Sequence, residues 1–358
     1  MKPKSASIKD VAAAAGVSRA TAARVLGGYG YASGQVHEAV LGAARELDYA
    51  PSRMAKAMRT GQSQLIGFVS ADITDGLFSE ALGGICRIAE PLGYQVVVFN
   101  SADRLDGERE GIRNLLSHGV EGLIVSPVVV SQREHLQAAA RAVPLVCLDR
   151  APEGLPSVVS DNAGAARRAV QSLVEHGHHQ IGLVSSVQAE EPIVIDSSDQ
   201  ILRVLGPDRP SVLRARGFVD GMHDAGLPIG PGQLCFTPHL AEDAQLRVTQ
   251  WLEAKDGLTA VLAADSYQAR YVYRALRLLR RRVPEDLSLI VFSDAEWTEF
   301  VVPPLDTISL DGAEMGARAA GALFELIRGS AQATSEVISA IHRPGQSVVT
   351  LSAEATAT

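Results

Sequence analysis

From Gln64 onward the sequence repeats one alternation: a short apolar run rich in β-branched residues, an amphipathic stretch at helical spacing, then another apolar run. The apolar runs are Leu65–Val69, Gln95–Asn100, Gly122–Val125, Pro144–Leu148, Ile181–Val184, Ala260–Ala263 and Leu289–Phe292. Between them lie helical stretches such as Phe78–Leu92, Glu108–Ser117, Gly164–His176, Leu240–Leu252 and Ser266–Arg280. Strands and helices in alternation build parallel sheets covered by helices, and strands apolar on both faces fit burial between two helical layers. Roughly 295 residues are too many for one such sheet, so this α/β body is expected to form two similar lobes.

Hydrophobic residues make up 46% of the 358 and charged residues 21%, which excludes wholesale disorder. Cys86, Cys147 and Cys235 stand far apart without a C-x-x-C pair, so neither a disulfide scaffold nor a cysteine zinc site is expected, and a reducing cytoplasm fits best. No apolar run approaches the ~18 residues that would span a membrane. The first residues lead into an amphipathic pattern instead of an apolar export segment.

The net charge of −8 is unevenly spread. Residues 1–60 hold nine Lys and Arg against four acids, or +5, which leaves −13 on the remainder. A basic head on an acidic body suits a head that meets a polyanion while the body repels it. Within the head, Ser7-Ile8-Lys9-Asp10 reads as a capping box and Gly16 as the turn after a short helix. Ser18 caps a second helix from Arg19 to Leu26, and a third runs from Ser33 through Val36, Val40, Ala44 and Leu47. Val11, Val17 and Val25 supply a small core. This is a helix-turn-helix pattern, whose second helix lies in the DNA major groove with its N-terminal residues at base edges. Here those are Ser18, Arg19, Ala20 and Thr21, with Arg24 one turn later. Arg can bridge guanine O6 and N7, and an Ala methyl can touch a thymine methyl. Ser18 and Thr21 suit phosphate oxygens, which fix register. Gly27-Gly28-Tyr29-Gly30 follows no strand and is read as a turn, not a phosphate loop.

Ser7 to Val11, Ala15 to Thr21, Arg24-Val25-Leu26 and Tyr49-Ala50-Pro51-Ser52-Arg53 together resemble the DNA-binding head of the lactose-repressor (LacI/GalR) family. Ala22, Ala23 and Gly27 depart from the family's usual Val, Ser and Asn. The segment from Pro51 to Gly61 is helix-competent but too short to be helical alone, with Met54, Ala55 and Met58 on one face. The resemblance implies that it is a hinge helix (51–61) ordered against its dimer mate in the minor groove, with Met58 as the wedge between base steps. DNA contacts are accordingly expected from Ser7, Ser18, Arg19, Ala20, Thr21, Arg24, Tyr49, Ser52, Arg53, Ala55 and Met58.

Open parallel sheets bind ligands at the carboxyl ends of their strands. There the sequence places Asp72, Ser101, Asp149-Arg150, Asp161-Asn162, Asp265-Ser266 and Asp294. Carboxylates and amides in one crevice suit a polyhydroxylated or amine-bearing molecule, although any single Asp after a strand also serves as a helix cap. Asp161-Asn162, Gly177-His178, Arg214 with Gly217-Phe218, Val283-Pro284-Glu285-Asp286 and Pro303-Pro304-Leu305-Asp306-Thr307 are similar to landmarks of the family's effector domain. That domain has the two-lobed fold of type I periplasmic binding proteins. The resemblance places effector contacts on Asp72, Leu77, Phe78, Asp149, Arg214, His239, Asp265 and Asp294. Ala264 replaces a common Asn, and Val187–Val212 is longer than the usual connection, reading as a lid over the crevice or a surface insertion, the insertion being favoured.

The expected organisation is therefore a head (1–50), a hinge (51–61) and an effector-binding and dimerisation domain (62–358). The first lobe is drawn as 62–161 and 293–322, and the second as 162–292 and 323–358. His176-Gly177-His178-His179 has the wrong spacing for a helical metal pair and reads as a helix end. Arg277 with Arg280-Arg281-Arg282 reads as solvated surface. No catalytic residue, cofactor or metal is expected. The resulting expectation is a cytoplasmic DNA-binding regulator, a repressor, dimeric with tetramers left open. It binds a pseudo-palindromic duplex and answers to a sugar-like or nucleoside-like effector. A transport-type solute-binding protein has no use for the head, and a carboxylate-pair hydrolase would need a site motif that is absent.

Overall fold

A computed structural model describes residues 6–27, 29–49, 61–186, 209–230, 232–237, 243–255, 257–293, 295–330 and 335–351. The hinge, with Ser52, Arg53, Ala55 and Met58, lies outside the described residues, as do His239, Asp294 and most of Val187–Val212. The chain divides into two compact units, residues 1–64 and 65–358.

The first unit contains α1 (Ile8–Ala14), α2 (Arg19–Leu26) and α3 (Gly34–Glu46). Asp10 accepts from the Ser7 N–H at 2.8 Å and the Ser7 hydroxyl at 2.7 Å, completing the capping box of α1. Gly16, at φ 66°, makes the turn that only a residue without Cβ enters cheaply. Ser33 caps α3 by accepting from the Val36 N–H. Val11, Ala12, Ala22, Val25, Val40, Ala43 and Ala44 form the buried core, and Val17 packs at its margin.

The second unit holds two six-stranded sheets. The strands in chain order are β1 (Leu65–Ser70), β2 (Gln95–Asn100), β3 (Leu123–Val125), β4 (Leu145–Leu148), β5 (Ser157–Ser160), β6 (Ile181–Ser186), β7 (Leu234–Thr237), β8 (Ala260–Ala263), β9 (Ser288–Phe292), β10 (Asp306–Ser309), β11 (Glu336–Ile338) and β12 (Ile341–Arg343). The first sheet has the order β11-β5-β4-β3-β1-β2 and is parallel throughout. The second has the order β12-β10-β9-β8-β6-β7, parallel except for the β10–β12 pair. In each, the strand order reverses at β1 or β6, so a ligand crevice opens beyond the carboxyl ends there.

Each lobe fastens one helix pair against its sheet. Gly76–Ala89 packs on Gly312–Ile327 in the first lobe, and Asn162–Glu175 on Pro210–Asp224 in the second. Both pairs touch backbone to backbone through glycine. A Cβ on Gly316 would strike the Ala81 carbonyl, and one on Gly217 the Ala163 carbonyl.

The lobe boundaries drawn from sequence need correction. Residues 293–322 do not all belong to the first lobe, because β10 pairs with β9 in the second sheet. Nor do residues 323–358 all belong to the second, because β11 pairs with β5 in the first. The chain crosses between lobes after Ser160, after Ser309 and after Ile338. The physical reason is that Gly312–Ile327 buries its apolar face against Gly76–Ala89, so the chain leaves the second sheet immediately after β10. Among the described residues, no helix is long and apolar enough to cross a membrane.

Candidate functional site

Two groups of residues carry chemistry, one in each unit. In the head, the Ser18 hydroxyl accepts from the Thr21 N–H at 3.1 Å and lies 2.9 Å from the Thr21 hydroxyl, fixing the first turn of α2. Ala22 and Val25 turn inward, so Ser18, Arg19, Ala20 and Arg24 stay exposed on the outer face, with Thr21 half-buried beside them. Arg24 donates to the Tyr31 carbonyl at 3.4 Å, which steadies its stem while leaving it exposed. Tyr49 packs against the head core. Sequence reasoning passed over Tyr31, which is 87% exposed beside Arg24. It lies next to glycines that were read only as a turn.

In the body, the crevice between the lobes is lined by Ala71, Asp72, Asp75, Leu77, Phe78 and Asp103, by Asp149 and Arg150, and by Ser186, Arg209, Pro210, Ser211, Arg214 and Asp265. Asp72, Leu77, Phe78, Asp149, Arg214 and Asp265 are thus brought together as the sequence implied. His239 and Asp294 fall outside the described residues. Arg150, placed at a strand end from the sequence, also lines the crevice, whereas Asp75, Asp103, Ser186 and Arg209 were not foreseen there. Asp103 follows β2, so its position was legible although its participation was not.

Arg214 is 6% exposed and is held on three sides. Its Nε–H donates to Asn162 Oδ1 at 2.7 Å, a terminal N–H donates to the Ala264 carbonyl, and the guanidinium lies 4.8 Å over the Phe292 ring. Ala264 therefore contributes its backbone carbonyl to the site. Asp265 is both cap and lining: Oδ1 accepts from the Tyr267 and Gln268 N–H groups, and Oδ2 accepts from the Ser186 hydroxyl at 2.6 Å. Asp75 likewise caps Gly76–Ala89 by accepting from the Leu77 N–H. The helix-cap role is real for both, and their second function depends on where the cap sits.

Asp149 differs. It sits at φ 70°, outside the region that side chains prefer, and is 5% exposed. Burial pushes its carboxyl above the usual range, against the pull of Arg150 and Arg214 and with a further push from Asp103. Its Oδ2 is 3.7 Å from Arg150 Nε, while Oδ1 and that same Nε have no hydrogen-bond partner among the described residues. A buried acceptor beside a buried donor is costly unless something completes both, and a ligand hydroxyl can do so. Arg150 is otherwise anchored through one terminal nitrogen, which donates to Pro127 O at 2.6 Å, Val128 O at 3.0 Å and Asp103 at 3.2 Å. Among the described residues no cluster of His, Cys, Asp and Glu could hold a metal ion.

Residues 7–52 match the model of the lacI family of bacterial regulatory proteins, and residues 170–348 that of a periplasmic binding protein-like domain. The ribose operon repressor of Bacillus subtilis is 29% identical over 323 residues, covering 90% of this chain and 92% of that protein. The transcriptional repressor CytR of Escherichia coli K12 is 28% identical over 328 residues, covering 90% of each. The crystal structure of the lac repressor dimer bound to operator and an anti-inducer superposes with a TM-score of 0.80 at 26% identity, covering 97% of this chain and 100% of that one. A helix-turn-helix head and a two-lobed binding body on one chain place this protein in the LacI family of transcription regulators.

Proposed function

We propose that the protein is a dimeric repressor whose grip on a pseudo-palindromic operator is released by a polyhydroxylated small molecule, a sugar or nucleoside, bound between the lobes. In this reading Arg19, Ala20 and Arg24 read base edges in the major groove, while Ser7, Ser18, Thr21 and Tyr49 hold the backbone. Ser52, Arg53, Ala55 and Met58 form the hinge contacts in the minor groove. Two heads related by a two-fold axis match a two-fold operator, because each alone binds weakly.

The observation that carries the effector assignment is the incomplete pair Asp149 Oδ1 and Arg150 Nε, buried in a crevice that Arg214, Asp72 and Asp265 also line. A ligand hydroxyl donates to Asp149 Oδ1 and accepts from Arg150 Nε–H, which a hydrocarbon cannot do. Leu77 and Phe78 offer an apolar wall for the ring face of the ligand. His239 and Asp294 complete the proposed contacts. The names of the relatives, among them a ribose operon repressor, agree with a sugar-like effector.

A thermal-shift screen of the full chain against pentoses, hexoses, amino-sugars and nucleosides tests this. A true effector at 100 times its dissociation constant adds about 2.7 kcal/mol to the folded state. It also lowers operator affinity by about 5- to 150-fold, the usual span of such coupling. Binding with turnover of the ligand would instead favour an enzyme.

A further inference from the structure

Resting on the reading of the cleft as the effector site, we infer that the two lobes are latched together across the cleft by their own side chains. The latches are the Asp103–Arg209 ion pair and the Tyr267–Asp72 hydrogen bond, and the effector enters by exchanging them.

The free space beside Asp72, Arg214 and Asp265 is about 80 Å³, and an adjoining hollow beside Asp149, Arg150 and Arg209 holds about 210 Å³. Each is smaller than the ~300–1,000 Å³ of ordinary small-molecule sites. Beside the incomplete Asp149–Arg150 pair, two other polar pairs are satisfied across the gap. On one side, Arg209, at the start of Pro210–Asp224 in the second lobe, donates to Asp103 Oδ2 at 2.7 Å in the first. The other oxygen of Asp103 is 3.2 Å from Arg150, so one carboxylate is shared by guanidinium groups of both lobes. On the other side, the Tyr267 hydroxyl, in the second lobe, donates to Asp72 Oδ2 at 2.7 Å and lies 3.0 Å from the Thr74 hydroxyl in the first.

Asp103 is presented by two successive residues in the left-handed region, Ala102 at φ 54° and Asp103 at φ 51°. Neither is glycine, and such backbone persists only where the surroundings hold it. Tyr267 is held from behind by Arg270, whose guanidinium stacks 4.5 Å over its ring. Both latches are built on rigid supports and reach across the gap between lobes.

The test is amide hydrogen exchange on the ligand-free full-length protein. In Asp103→Ala, Arg209→Ala and Tyr267→Phe, exchange across residues 71–78 and 209–214 should accelerate about 3- to 10-fold, as partly exposed polar pairs warrant, while α1–α3 stay unchanged. Arg209→Lys, which keeps the charge, should restore most of the protection. One molar salt should loosen the wild type toward Asp103→Ala and leave Asp103→Ala itself unmoved. Unchanged cleft exchange in the alanine variants, or no rescue by lysine, would overturn the latch. No effector is needed for this readout, so its outcome is separate from that of the ligand screen.

Discussion

The Nε–H of Arg214 donates to Oδ1 of Asn162 at 2.7 Å, joining the second turn of Pro210–Asp224 to the start of Asn162–Glu175, the helix it packs against in the second lobe. Arg214→Lys keeps the charge but loses the planar fork, so Asn162 Oδ1 and the Ala264 carbonyl cannot both be reached. Leaving a buried acceptor unpaired costs about 1–3 kcal/mol. Urea unfolding of the variant should show that loss, and the operator response to effector should weaken more than the fold does.

Glycines in one helix separate into two kinds. Gly316 abuts the Ala81 backbone, whereas a Cβ on Gly321 would meet open space. Gly316→Ala should therefore destabilise by at least ~1–3 kcal/mol through overpacking. Gly321→Ala, in the same helix, should stabilise by about 0.5–1 kcal/mol. Melting curves of the two variants give opposite shifts if this packing is right.

His178 is fully buried, with Nδ1 3.0 Å from the Thr259 hydroxyl and Nε2 2.9 Å from the Val349 carbonyl. Burial lowers its pKa, the neighbouring His176 and His179 lower it further, and the Val349 contact opposes them. The folded state thus binds a proton less readily than the unfolded chain. Its contribution is whole above the unfolded value near ~6.5 and is lost as pH falls below it. Stability measured between pH 5 and 7.5 should rise with pH, and His178→Gln should flatten that rise.

Arg24 is exposed on the outer face of α2, one turn beyond Arg19 and Ala20. Arg24→Ala should weaken specific binding by about 1–3 kcal/mol and relax preference at one base pair. An equal loss on random duplexes would assign Arg24 to the phosphates.

The head was legible almost residue by residue, because caps and glycine turns are local chemistry. Ser18 caps the helix that it was expected to cap, and Ser33, read as the first residue of the third helix, is its cap. The seven strands named from apolar runs all form, and the ends shift by a residue or two. β5, β7, β10, β11 and β12 were passed over, since Ser157–Ser160 and Asp306–Ser309 mix polar residues into buried strands and Glu336–Ile338 and Ile341–Arg343 are three residues long. Lobe membership was misdrawn because strand pairing is set by long-range packing, which periodicity does not encode. In the cleft, the aspartates after strands were visible. Arg150 and Arg214 were visible too, whereas the Asp103–Arg209 pair was not, because Arg209 reaches Asp103 from 106 positions away.

The central claim joins a base-reading head to a ligand-gated body. It is tested most directly by selecting duplexes from a random pool with the full-length protein, then measuring affinity for the selected site with and without the sugar or nucleoside that the screen identifies. The account predicts a two-fold symmetric site, bound far more tightly than random duplex, from which that ligand releases the protein. Equal, salt-sensitive binding to every duplex, unmoved by any ligand that stabilises the body, would contradict it.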